Sequence, residues 1–300
     1  MCKQFLNKQT IKTNYRVNEI AQYVKICYNL DMKKSPNKYE KYIQFAKDTL
    51  LGCSNIILKW HEKESPDSTL YLNEYVAKCV NEYIQDKINE IFPNHFLFTK
   101  GSRDIGDVEY EWICDPLDGA FIYSKGFTSC VISMTLVHNG SPIIAVIYQP
   151  FTKDFYIAID NEGVYKNNQR IHVSHEGLKE FGCIEEEWWP DAYYDVDHVV
   201  HNIARDYRMY PLHFGSVVYS ACLIAESKLT ATLFGGRLVG KNHEAAAVML
   251  LMKEAGGKYT DLTGRNIDFK GTMHGFIIST TESHPQILES VKKYLETPIA

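Results

Sequence analysis

The hydrophobic pattern changes twice along this chain, and the order of the patterns restricts the fold. Residues 38–60 and residues 70–91 carry apolar side chains at helical spacing. From residue 95 to residue 169 short β-rich runs follow one another, and Asn139-Gly140 joins two of them as a hairpin turn. From about residue 181 strands and helices alternate. The sequence therefore predicts two helices against a largely antiparallel sheet, followed by an α/β half.

Composition excludes several classes of protein. The 300 residues are 45% hydrophobic and 23% charged, so a sizeable core is expected and general disorder is excluded. The net charge of -5 argues against a nucleic-acid partner, and no apolar run approaches the roughly 18 residues of a membrane helix. The eight cysteines form no C-x-x-C pair. We therefore expect reduced, mostly buried thiols, a cytoplasmic location and no membrane partner.

The chain divides into three parts on these patterns. Residues 1–37 are polar and are interpreted as an N-terminal extension that is not a secretory signal. Residues 38–180 form an α+β half, and residues 181–300 form an α/β half.

The sharpest local signal is the string Asp115-Pro116-Leu117-Asp118-Gly119-Ala120, which follows an apolar strand. Proline fixes the backbone and glycine permits a tight turn, so the two carboxylates are held close together. Such a pair suits a hard cation such as Mg²⁺, and amides at the turn or at a following helix start suit a phosphate. A plain turn with an aspartate cap satisfies the same string, and the string alone leaves both interpretations open.

The string resembles the DP[IL]DGT signature of the inositol monophosphatase family, which are Mg²⁺-dependent phosphomonoesterases. Further segments resemble family motifs in the family's order: Phe92–Thr99, Gly140–Pro150, Gly215-Ser216 with the helix after it, and Glu254–Gly257 with Asp261 and Gly264. The resemblance covers roughly residues 40–295. It implies a layered α/β/α/β/α sandwich of the inositol monophosphatase and fructose-1,6-bisphosphatase type. It also implies a small-molecule substrate and a homodimer.

The resemblance implies one shared site. Asp115, Asp118 and Glu244 are the expected metal ligands, and together with Lys100 they are the expected catalytic residues. Six residues are expected to contact substrate: Gly119, Ala120, Gly215, Ser216, Arg237 and His243. We expect Asp115 at the C-terminal end of a strand, within about 12 Å of Glu244, because one small cation cluster must bridge them.

Departures from the family pattern fall on this site. Lys100 stands where the family has its water-activating glutamate, and Ala120 replaces the signature's threonine. Ala77 aligns with a carboxylate of an earlier family helix. Losing carboxylates weakens a cation cluster, and a lysine adds positive charge where a cation should sit. We therefore expect weak Mg²⁺ binding, and a metal-independent site in which Lys100 occupies one metal position stays open.

Four further patterns are weighed against plainer interpretations. Residues 235–242 nearly match the phosphate-binding loop G-x-x-x-x-G-K-[ST], but Asn242 replaces the Ser or Thr that holds Mg²⁺. A loop that brings His243-Glu244 into the pocket is favoured instead. His198 and His201 on one helix face have a spacing that can bind a transition metal, but a solvated face is favoured because no third ligand is apparent. The acidic run Glu185–Glu187 is expected to be solvated, although one of its residues could hydrogen-bond a hydroxyl. The aromatic residues 188–194 are expected either to cover an apolar or ring-shaped ligand or to form a subunit interface.

Two functions follow from these observations. The first is a divergent enzyme of this family, a phosphoric monoester hydrolase by ancestry, acting on a small phosphorylated or polyhydroxylated metabolite. Its metal-dependent hydrolysis is weakened, or replaced by acid–base chemistry of lysine and carboxylates. The alternative is a catalytically inactive pseudophosphatase that binds a metabolite or a protein partner.

Overall fold

A computed structural model describes residues 38–61, 69–99, 108–189, 192–236, 244–269 and 274–295. Two long helices come first, α1 (Glu40–His61) and α2 (Thr69–Ile91). Val76, Val80, Ile84 and Ile88 of α2 recur every fourth residue and are fully buried. This spacing forms one apolar stripe on a helix, so the sequence-based prediction of both helices is confirmed. The N-terminal extension, residues 1–37, lies outside the described residues.

A seven-stranded sheet follows, with its strands in chain order. The strands are β1 (Phe96–Phe98), β2 (Tyr110–Asp118), β3 (Val131–His138), β4 (Ser141–Gln149), β5 (Asp154–Ile159), β6 (Gly163–Lys166) and β7 (Gln169–Ile171). β1 pairs with β2 in parallel, and all other pairs are antiparallel. Asn139 and Gly140, with φ of 47° and 78°, form the predicted turn. A short helix between β2 and β3, α3 (Ala120–Ser124), was not predicted because five residues show no period.

The second half builds a five-stranded sheet with helices between its strands. Its elements are β8 (Cys183–Glu187), α4 (Val196–Tyr207), β9 (Tyr210–Leu212), α5 (Val217–Ala225), β10 (Ala231–Phe234), α6 (Ala245–Ala255), β11 (Lys258–Asp261), β12 (Phe276–Ser279) and α7 (His284–Tyr294). The strand order is β11-β12-β10-β8-β9. β8 is parallel to both neighbours, whereas β12 is antiparallel to its neighbours. The predicted alternation of strands and helices is confirmed.

The elements stack in five layers. Helices α1 and α2 cover the outer face of the seven-stranded sheet, where Phe45 of α1 meets Trp112 of β2. Helices α5 and α6 lie between the two sheets and are almost entirely buried. Helices α4 and α7 cover the other face of the second sheet. The structure is therefore the predicted α/β/α/β/α sandwich.

The cysteines of the described residues match the expectation of reduced thiols. Cys53, Cys114, Cys130 and Cys222 are buried and free, Cys183 is half-buried and free, and Cys79 is buried. Burial raises the pKa of Cys130 to about 12. None of the described helices is both long and apolar enough to cross a membrane.

A buried histidine at the start of α7 predicts acid sensitivity. His284 Nδ1 lies 2.7 Å from Ser279 Oγ, and its Nε2 lies 3.0 Å from Thr260 Oγ1. Burial, with a smaller contribution from Lys258, lowers the pKa of His284 to about 4. As the pH falls, the unfolded chain therefore takes up a proton on this imidazole before the folded chain does. The contribution of neutral His284 to folding stability is complete above about pH 6.5 and is lost as the pH falls towards 4.

We expect this group to cost the protein about 2 kcal/mol of unfolding free energy between pH 7 and pH 5. Urea unfolding at pH 7 and pH 5 gives the loss of unfolding free energy for the wild type and for His284→Asn. The difference between these two losses is the contribution of His284. His175→Asn is the control, because that side chain is 82% exposed. Equal pH dependence of the wild type and His284→Asn would contradict the prediction.

Candidate active site

Three carboxylates from distant parts of the chain converge at one point. Asp115 and Asp118 belong to β2, and Glu244 immediately precedes α6. One oxygen from each side chain lies within 4.8 Å of the others. The three side chains are only 4%, 9% and 3% exposed, respectively. The predicted proximity of Asp115 and Glu244 is confirmed.

An irregularity in β2 brings its two aspartates together. Asp115 pairs with Ser133 and Asp118 pairs with Val131, so three steps on β2 match two on β3. This bulge contains Pro116, which has no N–H for the ladder. The strand continues to Asp118, three residues beyond the predicted end at Asp115. Asp115 Oδ1 also accepts a 2.9 Å hydrogen bond from the Leu117 N–H, so the aspartate-capped turn is present as well.

Two glycines allow the surrounding backbone to approach closely. Gly119 has a φ of 88°, and a Cβ there would lie 3.0 Å from the Ser129 carbonyl oxygen and 3.1 Å from Ser216 Cβ. Gly215 has a φ of 74°, and its Cβ would lie 2.1 Å from a side-chain carbon of Ile122. L-residues rarely adopt such φ values, so glycine is required on both counts. The starts of α3 and α5 thereby meet beside Asp118.

Asp118 connects β2 to the N-terminus of α5. Its Oδ2 accepts hydrogen bonds from Ser216 Oγ at 2.7 Å and from the Val218 N–H at 2.8 Å. Ser216 is also the N-cap of α5, because its Oγ accepts a hydrogen bond from the Tyr219 N–H. Ser216 therefore links the helix start directly to the carboxylate cluster.

Burial and mutual repulsion dominate the electrostatics of the cluster. Burial raises the pKa of Asp118 well above its usual range, and the nearby carboxylates of Asp115 and Glu244 raise it further. The hydrogen bonds from Ser216 and Val218 oppose this shift. A divalent cation would relieve the repulsion, and an all-oxygen donor set suits a hard cation such as Mg²⁺. The residues present therefore fit such an ion.

The other predicted site residues divide into two groups. Gly119, Ala120, Gly215 and Ser216 surround Asp118 at the starts of α3 and α5, as described above. Lys100, Arg237 and His243 lie outside the described residues, and so does most of the loop that resembles a phosphate-binding loop. Their roles stay predictions.

Outside the cluster, one expectation is confirmed and one is wrong. His198 and His201 are exposed, as a solvated helix face requires. Glu185 and Glu187, in contrast, are 0% and 6% exposed. The sequence feature that could have indicated their burial is their position on a β-strand, because alternate residues of a strand face the same side. Their side chains face α5 and lie close to the carboxylate cluster.

The aromatic segment between β8 and α4 packs partly on the second sheet. The Trp189 ring lies 5.3 Å from that of Phe234, and Tyr193 stacks on His274 at 4.3 Å between ring centroids. Pro190 and Asp191 lie outside the described residues. Whether this segment covers a ligand or forms a subunit interface stays a prediction.

The five-layer sandwich with a buried carboxylate cluster is the architecture that the sequence motifs implied. The chain belongs to the inositol monophosphatase family, whose sequence model matches residues 49–296.

Among curated relatives, the Nus factor SuhB of Pasteurella multocida is 25% identical over 224 residues, covering 70% of this chain and 81% of the relative. A fructose-1,6-bisphosphatase/inositol-1-monophosphatase of Thermococcus kodakarensis is 26% identical over 228 residues, covering 75% and 81%. An IMPase of Thermotoga maritima superimposes with a TM-score of 0.73 at 19% identity, covering 84% of this chain and 97% of its own. A dual-specific IMPase/NADP phosphatase superimposes with a TM-score of 0.74 at 20% identity, covering 88% of this chain and 99% of its own. These structural matches establish the fold.

Proposed function

We propose that the protein is a phosphomonoesterase that uses a divalent cation to hydrolyse a small phosphorylated, polyhydroxylated metabolite. The observation that carries this proposal is the convergence of Asp115, Asp118 and Glu244, whose oxygens lie within 4.8 Å of one another. Membership of the inositol monophosphatase family supports the same reaction class.

Asp115, Asp118 and Glu244 would hold the cation. When bound, Mg²⁺ polarises a phosphate oxygen and lowers the pKa of a coordinated water molecule. Asp118 is oriented for this task by Ser216 Oγ and the Val218 N–H, which stabilise its ionised form. The bulge in β2 fixes Asp115 beside it.

The substrate phosphate is proposed to lie against the turn that follows Asp118. Gly119 and Ala120 begin α3 there, and Gly215 and Ser216 begin α5 opposite. Helix starts present N–H groups and positive potential, which favour an anion. Arg237 and His243 are further candidates for contact with the anion.

We propose reduced turnover for this enzyme relative to the family pattern. Ala120 has no hydroxyl to orient the attacking water, and Lys100 cannot act as the carboxylate that the family places there. Binding by the three remaining carboxylates would be retained while water activation is weakened. At the extreme of this divergence, acid–base chemistry of Lys100 would replace phosphate hydrolysis altogether.

A second candidate function is that of a pseudophosphatase that binds a metabolite or a macromolecular partner. It is favoured by the sequence likeness to proteins named Nus factor SuhB. The absence of a nucleic-acid partner, the homodimer and the cytoplasmic location stay predictions.

A phosphate-release panel distinguishes the two functions. Sugar phosphates, polyol phosphates and nucleotide 3′-phosphates are incubated with the full chain at increasing Mg²⁺, beside a thermal-shift screen of the same compounds. Mg²⁺-dependent release from one substrate class, absent in Asp118→Asn, is the expected result. Thermal shifts without any release would contradict the enzyme and support the binder.

A further inference from the structure

Two hydroxyl groups on β3 are buried in an otherwise apolar face of the first sheet. Ser133 and Thr135 are each 1% exposed, and their hydroxyl oxygens have no hydrogen-bond partner in the part of the chain that the structure describes. Val131 and Val137 flank them on the same face and are buried in the core that contains α5 and α6. A buried hydroxyl without a partner costs about 1–3 kcal/mol, so an apolar side chain would suit either position better for stability alone.

The two hydroxyl groups differ in the side chain that lies across from them. β3 is antiparallel to β2, and residues directly opposite each other in such a pair project from the same side of the sheet. Ser133 lies opposite Asp115, whereas Thr135 lies opposite Ile113. Their partners on the other neighbouring strand, β4, are both apolar: Ile147 and Ala145. Of the two hydroxyl groups, that of Ser133 is therefore the one placed beside a member of the carboxylate cluster.

The bulge in β2 places both aspartates on the face that carries Ser133. Residues three apart in a regular strand face opposite sides of the sheet, so Asp115 and Asp118 would be separated without the bulge. Asp118 pairs instead with Val131, which lies two residues before Ser133 and therefore on the same face. Ser133 thus projects from the same side of the sheet as both aspartates of the cluster.

Ser133 lies close enough to Asp115 to orient its carboxylate. Side chains directly opposite each other in an antiparallel pair have Cβ atoms about 4.5–5.5 Å apart, so rotation of the serine side chain can bring its hydroxyl within hydrogen-bond distance of the carboxylate. Asp115 Oδ1 already accepts a 2.9 Å hydrogen bond from the Leu117 N–H. A carboxylate has about four acceptor sites, so one that binds a cation can still accept a second donor.

We propose that Ser133 is a positioning residue of the cation site: its hydroxyl donates to the Asp115 carboxylate when the cluster holds a cation. This inference rests on the proposed function, since it assumes that the carboxylate cluster binds a cation. Removing a group that orients a metal ligand through a hydrogen bond typically lowers metal affinity about 10–100-fold. The hydroxyl therefore favours cation binding although it contributes nothing to the stability of the cation-free protein.

The test is Mn²⁺ binding to the full chain by calorimetry, with thermal unfolding in the presence of EDTA measured in parallel. Ser133→Ala should weaken Mn²⁺ binding about tenfold, while the unfolding midpoint in EDTA stays the same or rises. Thr135→Val is the matched control, because it removes an equally buried hydroxyl from the same face of the same strand, opposite Ile113. The control should leave Mn²⁺ affinity unchanged.

Ser133→Cys provides a second variant that preserves the shape of the side chain. Its S–H group is a weak donor, so its Mn²⁺ affinity should lie between those of the wild type and Ser133→Ala. Unchanged affinity in Ser133→Ala, or an equal loss in Thr135→Val, would overturn the inference. A loss of affinity in Ser133→Ala together with a large fall in the unfolding midpoint in EDTA would also overturn it, because the role of Ser133 would then be structural. A wild type that binds no Mn²⁺ would instead overturn the proposed cation-dependent function, which separates the two failures.

Discussion

Asp118→Asn is expected to abolish cation binding and phosphate release together, while stabilising the cation-free protein. Asp118 is the centre of the cluster: it lies within 4.8 Å of Asp115 and Glu244 and accepts both hydrogen bonds from the start of α5. Both hydrogen bonds end on Oδ2, so the asparagine oxygen can keep both acceptor roles, and its NH₂ group can donate to the neighbouring carboxylates. The substitution therefore removes a charge without removing the packing.

The two effects have different physical origins. Losing a ligand to the cation weakens transition-state stabilisation by about 4 kcal/mol, which is about a thousandfold in rate. Burial, and after it the carboxylates of Asp115 and Glu244, raise the pKa of Asp118, and asparagine removes the ionisable group that these effects disfavour. We expect a gain of about 1 kcal/mol, or roughly 2–4 °C in Tm, in the presence of a chelator.

The measurements are Mn²⁺ calorimetry, phosphate release and thermal unfolding in the presence of EDTA. Asp48→Asn is the control, since Asp48 is an exposed residue of α1 whose recorded partner is Gln44. Loss of binding with a large fall in Tm would assign Asp118 a structural role and contradict the prediction.

Much of the fold could be predicted from local pattern alone. Apolar residues recur every four positions from Val76 to Ile88, and this pattern fits a helix, α2, and no other element. The turn at Asn139-Gly140 likewise indicates the hairpin of β3 and β4. α3 could not be predicted, because it follows from the close approach of two chain segments at Gly119 and Gly215. The bulge in β2 was also missed, although Pro116 marks its position.

The candidate site was predictable in a different way. Nothing in the periodicity joins Asp115 to Glu244, which lie far apart along the chain; the resemblance to the family supplied that pair. Glu185 and Glu187 were misjudged because three consecutive glutamates usually indicate a solvated surface. The burial of Glu185 depends on donors from Phe214 and Thr232, which only the folded chain brings near.

Lys100→Glu is expected to increase Mg²⁺ affinity at least about tenfold and to increase phosphate release. Lys100 lies outside the described residues, so this prediction rests on the sequence: it follows the segment that resembles the family's and stands at the position of the family's glutamate. The change replaces a positive charge by a negative one at the position where the family has its glutamate. A tenfold gain in affinity corresponds to about 1.4 kcal/mol of binding free energy. The substitution changes the local charge by two units, and such a change next to a divalent cation is large enough to supply that energy.

Lys100→Met separates the two parts of this effect, because it removes the positive charge without adding a ligand. If Lys100 only repels the cation, the methionine variant should bind Mg²⁺ nearly as well as the glutamate variant. If a fourth carboxylate is required, the glutamate variant alone should gain both affinity and turnover, with Ala120 still limiting the rate. Calorimetry and the phosphate-release panel measure both variants against the wild type. Loss of a native activity in both variants would mean that Lys100 itself takes part in the reaction, and the proposed hydrolysis would give way to acid–base chemistry of lysine and carboxylates.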